Sequence, residues 1–335
     1  MKKIATAHII LLSSIIMQII LVFVVAIGNL RLPVPLALSV SQLTMLLPFI
    51  VYCIWKKENP LKLIRFKKVR FSTVLFSIAI GFASYPVVVF LNMVSMMFVE
   101  NAMSDVMTEV LSMGLGAGLI YMAFLPAIVE ETIFRGVVYN TYSKRRPIIG
   151  IFLSALLFGL MHMNFNQMPY AFYLGIVMAL LMEACDSIIA PMILHFTMNA
   201  TSTILSFSSM GVSEPISTEA TDIKSLLIES YQLSAAEMGM ELTEAQLTAM
   251  LPTILAAMIG VFAVMALIAL GVVCILVYAV FRSNNRKPSE VFKVDHSDTA
   301  YLLGKDEKMH KNRMIDLWVV IFIIYTFINC ILSIG

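Results

Sequence analysis

A 335-residue chain that is 60% hydrophobic and 13% charged, with a mean hydropathy of +0.90, is too apolar for a soluble domain. It implies an all-α, polytopic transmembrane helical bundle with the lipid bilayer as its solvent. The net charge of +2 decides little, because the distribution of charge matters more than its sum, and no nucleic-acid partner is expected. The four cysteines, Cys53, Cys185, Cys274 and Cys330, lie in or beside apolar runs without a CxxC pair, which argues against a disulfide framework and a zinc-thiolate site. The 25 methionines read as adaptable packing.

Lys2 and Lys3 precede an apolar run from Ile9 to about Ile27, longer than a signal-peptide core and read as a retained first span. Pro33 and Pro35 mark the turn into a second span, about Leu36 to Trp55. The segment from Lys56 to Arg70 then carries seven basic residues against the single acid Glu58, which makes it cytoplasmic by the positive-inside rule. A third span, about Ser72 to Val99, leads to a short acidic outer segment with Glu100, Asp105 and Glu109. The fourth begins near Leu111 and returns at Lys144-Arg145-Arg146. Pro147 to about Met163, Tyr170 to Cys185, and about Ile188 to Phe207 are the fifth to seventh.

Residues 208–250 hold seven acids against the lone Lys224 and form an outer-face insert. An eighth span, about Leu251 to Phe281, a basic-rich cytoplasmic loop from Arg282 to Arg313, and a ninth span, about Leu317 to Ser333, complete the pattern. About nine spans with a cytoplasmic N-terminus put the basic loops on one side and the acidic insert on the other. The expected divisions are 1–110 for spans one to three, 111–207 for a catalytic core, 208–250 for the insert and 251–335 for the last two spans. There is no internal repeat of the kind many transporters carry, and no nucleotide-binding or Gly-x-Ser-x-Gly motif.

Polar residues inside the apolar runs are the informative ones. Glu130, Glu131 and Arg135 together would cost roughly 8–10 kcal/mol if left facing lipid. Glu131 and Arg135 are four apart with the acid first, the favourable order for an ion pair on one helix face. Glu130 is about 100° away around the helix and is left for another use. His162 and His195 are the two histidines deep in apolar spans, while His8 sits at a membrane edge. Asn199 shares a helix face with His195 at i,i+4. Glu130 lies 14 residues before Lys144 and His162 lies 15 after Pro147, so both are about 21–22 Å along their helices and can meet. Glu183 is also intramembrane, with a cytoplasmic-side contact as its expected use.

Glu-Glu-x-x-x-Arg at Glu130–Arg135, Phe-x-x-x-His at Phe158–His162 and His-x-x-x-Asn at His195–Asn199 occur in this order on successive helices. The ordered set resembles the CPBP (Abi) family, which comprises the type II CAAX prenyl proteases and bacteriocin-processing or immunity proteins. The resemblance covers about residues 111–207 and implies an intramembrane endopeptidase acting on a membrane-associated or lipidated peptide. Carried over by position, Glu130 with His162 would activate water, His195 and Asn199 would stabilise the oxyanion, and Glu131 with Arg135 would hold the geometry. Burial raises a carboxylate toward the range a general base needs, and imidazole and amide donors suit a developing oxyanion.

Members of the family have been described both as metal-independent glutamate proteases and as metalloproteases. The cofactor is therefore none or a divalent metal, with Glu130, His162 and His195 as the zinc set if one binds. Two other readings compete with the protease: a non-catalytic immunity or interaction protein of the same fold, and a proton-coupled transporter using Glu130 and the histidines as a relay. The compact loops and short N-terminal segment suggest a bacterial cytoplasmic membrane.

Overall fold

The computed structural model describes residues 4–99, 104–144, 146–209, 228, 231–232, 243–293 and 317–332. The insert expected at 208–250 lies mostly outside the described residues, as do Glu100, His296, His310 and the loop beyond residue 293. The described elements are all helical. In chain order they are α1 (Ile4–Ile27), α2 (Val34–Lys56), the short α3 (Pro60–Leu63), α4 (Phe71–Ser95), α5 (Ser104–Ser112) and α6 (Leu115–Tyr142). These are followed by α7 (Pro147–Met161), α8 (Met168–Cys185), α9 (Ile189–Ser209), α10 (Glu244–Ser283), a 3-10 turn (Pro288–Phe292) and α11 (Leu317–Leu332).

Six helices, α1, α2, α4, α6, α8 and α10, are long and apolar enough to cross a membrane. The apolar α7 and α11 are shorter. α9 has 21 residues but carries His195, Thr197, Asn199, Thr201, Ser202 and Thr203 along its length. α10 begins at Glu244 and not near Leu251, because Thr243 and Gln246 form a capping box at its start. Its 40 residues extend about 60 Å, against a hydrocarbon core of about 30 Å, so it must tilt or project beyond the lipid.

α6 is the centre of the bundle. Every residue from 131 to 143 is buried, enclosed by α1, α2, α7 and α8, while its first half lies against α9. Glycines allow the close approaches: a Cβ on Gly81 of α4 would meet Thr197 of α9 at 2.9 Å, and one on Gly175 of α8 would meet Ala155 of α7 at 2.8 Å. Polar rungs add to this packing where lipid offers no competing water. Ser14 donates to the Met45 carbonyl at 2.8 Å, and Ser41 donates to Gln18 at 2.9 Å, joining α1 to α2. His8, expected at a membrane edge, is 1% exposed and bonded to Tyr142 at the end of α6, close to the basic turn.

The bundle end that carries the basic segments is laced by ion pairs. Asp186, in the left-handed turn between α8 and α9, pairs with Lys67 and with Arg65 at 3.2 Å. Tyr139 donates to Glu183 at 2.7 Å, and Arg286 bonds the Glu183 backbone carbonyl and approaches its carboxylate at 3.5 Å. Glu183 therefore ties α6 and α8 to the segment that follows α10.

Candidate active site

The helix that holds the two glutamates is not a regular α-helix. It winds as π-helix over Leu119–Phe124, returns to α over Leu125–Glu131, and widens again over Thr132–Tyr139. The uniform rise of 1.5 Å per residue used above to place Glu130 does not hold along it, since π turns are wider and advance less per residue. Short π segments inside α-helices commonly mark functional sites.

Glu131 and Arg135 form a salt bridge at 2.9 Å with both side chains 0% exposed. The Glu131 oxygen that takes this bond also accepts from His195 Nδ1 at 2.9 Å. Glu131 is thus enclosed by α6 and α9 and holds the His195 ring in a fixed orientation. The other ring nitrogen, Nε2, lies 3.9 Å from the Glu130 carboxylate, near enough for one water to bridge them. Glu130 is 19% exposed, so adjacent residues of one helix occupy opposite environments.

His162 is at the C-cap of α7, at the end of the helix. Its Nδ1–H donates to the Phe158 carbonyl at 3.0 Å, which makes Nε2 the acceptor nitrogen of the neutral ring. Asn199 donates to the Met122 carbonyl on the first π segment at 3.0 Å. His195, Glu130 and Glu131 are brought together directly. His162 joins them through Phe158, whose ring meets His162 edge-on at 5.1 Å and His195 at 6.0 Å between centroids. Arg135 lies over the same ring at 4.3 Å.

Two features escaped the reading of the sequence. One is the bond between Glu131 and His195, which joins residues 64 positions apart and has no local signal. The other is Phe158 as the platform for one guanidinium and two imidazoles; its place in Phe-x-x-x-His was the available clue. Phe158→Leu keeps most of the bulk but removes the cation–π contact and both ring edges. It is expected to lower stability by about 1–2 kcal/mol, read by thermal unfolding in detergent. Melting at the native temperature would show that Arg135 does not depend on the ring.

For the expected zinc set Glu130, His162 and His195, both imidazoles bond through Nδ1 and leave Nε2 over, an arrangement that metal-ligating histidines commonly have. Among the described residues no three His, Cys, Asp or Glu side chains are grouped closely enough to hold a metal ion.

The fold and the site together define an integral membrane protein, built of helices, with a carboxylate–imidazole centre in its core. Compared with models of known families, residues 112–201 match one described as type II CAAX prenyl endopeptidase Rce1-like, a stretch that includes all seven motif residues from Glu130 to Asn199. The match supports the CPBP family of CAAX-type proteases, to which the three motifs point. Comparisons with curated proteins and with solved structures give no match.

Proposed function

We propose that this protein is an intramembrane endopeptidase that hydrolyses a peptide bond in a membrane-associated or lipidated peptide or protein. The observation that carries the proposal is the division of labour between two adjacent carboxylates. Glu131 is sealed and tied to Arg135 and His195, whereas Glu130 keeps partial exposure and faces an imidazole nitrogen 3.9 Å away. A structural ion pair needs only the first of these. The second suits a base that must reach water and substrate.

In the proposed reaction Glu130, with His162, takes a proton from water as its oxygen attacks the scissile carbonyl carbon. The proton then passes to the leaving amine as the C–N bond breaks. His195 through a protonated Nε2, and Asn199 through the amide hydrogen not given to Met122, donate to the oxyanion. Glu131 with Arg135 positions His195. The proposed topology has nine crossings with the N-terminus cytoplasmic, in a bacterial cytoplasmic membrane.

The test is cleavage of membrane-associated peptides, prenylated and unprenylated, by purified protein with and without chelator, together with metal analysis. Chelator-resistant cleavage is the expected result. Chelator-sensitive cleavage, with stoichiometric zinc that is lost in His195→Ala, would replace the metal-free reaction by a metallopeptidase one. No cleavage of any peptide would favour the non-catalytic immunity or interaction reading.

A further inference from the structure

Proline 126 stands in the middle of α6, four residues before Glu130, and is buried. Proline has no N–H, so in an α-helix the carbonyl four residues earlier loses its donor. In the α register that carbonyl is Met122's, and in the π register of the preceding turn it is Tyr121's. Inside a membrane-embedded bundle no bulk water replaces the lost bond, and the backbone must be satisfied by the protein. The helix responds in two ways. It widens into the π segment Leu119–Phe124, closed by a bond from the Leu125 N–H to the Ile120 carbonyl, and it receives a side-chain donor from α9. That donor is Asn199, whose amide nitrogen lies 3.0 Å from the Met122 oxygen.

α6 and α9 are therefore joined at two rungs. Asn199 holds Met122 on one side of Glu130, and His195 holds Glu131 on the other. The two donors are one turn apart on a single face of α9. A helix pinned on both sides of a residue cannot rotate about its axis at that residue. We propose that Pro126, the Met122 carbonyl and Asn199 form a clamp that sets the rotation of α6 and thereby aims Glu130. Asn199 is then a positioning residue through Met122 in addition to any contact it makes with substrate. The aiming role rests on the proposed use of Glu130 as the base, while the clamp itself does not.

The test is a double-mutant cycle on the full-length protein, with Asn199→Ala, Pro126→Ala and both together. Alanine at 126 restores an N–H that can pair with the Met122 carbonyl, so it substitutes for the donor that Asn199 supplies. Residues 126 and 199 are coupled only through Met122 in this account. The clamp predicts that Asn199→Ala lowers the unfolding temperature in the native background and has little effect beside Pro126→Ala. For turnover, the kcat loss on Asn199→Ala, about 10²–10³-fold if an oxyanion donor is also removed, should shrink at least ten-fold in the Pro126→Ala background, with KM little changed.

Equal losses of stability in both backgrounds would overturn the clamp. Equal kcat losses with coupled stability would keep the clamp and overturn its aiming role. If no peptide is cleaved even by the native protein, the stability cycle still decides the clamp. Should Pro126→Ala fail to fold, Asn199→Leu, which retains bulk without a donor, must melt below the native protein; native-like melting would overturn the proposal.

Discussion

Glu130→Gln is expected to reduce proteolysis by about 10²–10⁴-fold while leaving a folded, membrane-inserted protein. Glutamine has nearly the same volume and can still accept a hydrogen bond, but it cannot take a proton from water. Glu131 cannot replace it, because its carboxylate is enclosed and bonded to both Arg135 and His195. Glu130 is partly exposed, so its neutralisation should shift the unfolding temperature only slightly. The measurement is turnover of a cleavable peptide alongside detergent melting. Turnover at the native rate in the glutamine variant would remove Glu130 from the reaction.

Glu131→Gln and Arg135→Ala should show the reverse balance, with loss of stability of about 3–5 kcal/mol accompanied by loss of activity. Each leaves its fully buried partner charged and uncompensated. The Arg135 guanidinium has little else to lean on: among the described residues its Nε and Nη2 lack hydrogen-bond partners, and a further contact of the guanidinium is the Phe158 ring. Glu131→Gln additionally alters the acceptor for His195 Nδ1, so the ring should lose its fixed orientation. Expression level and thermal unfolding of the two variants are the measurements. If either melts with the native protein, the pair does not carry the stability its burial implies.

The charged residues of the candidate site were legible because their cost is local. A charged side chain in an apolar run is expensive wherever the chain folds, so Glu130, Glu131 and Arg135 stand out without any knowledge of neighbours. The i,i+4 spacing of Glu131 and Arg135 is set by helix geometry alone and survives the change to π winding, since the two still meet at 2.9 Å. The long apolar runs are equally local, and helices are found over each of them among the described residues.

Tertiary structure decided what depends on two segments meeting. Nothing in the sequence says what the Nδ1 side of the His195 ring would bond. Its bond to Glu131 follows from how α9 lies against α6, where Gly81 lets α4 approach Thr197 on the same helix. Nothing local gives His8 a partner, and the crossing of α1 against the end of α6 buries it on Tyr142. The π segments had a sequence signal in Pro126, but a proline alone permits a kink, a break or a wider turn. Which one forms depends on a donor for the Met122 carbonyl, and that donor, Asn199, lies on another helix. Sequence determines where a polar group must find a partner; only packing determines which partner is within reach.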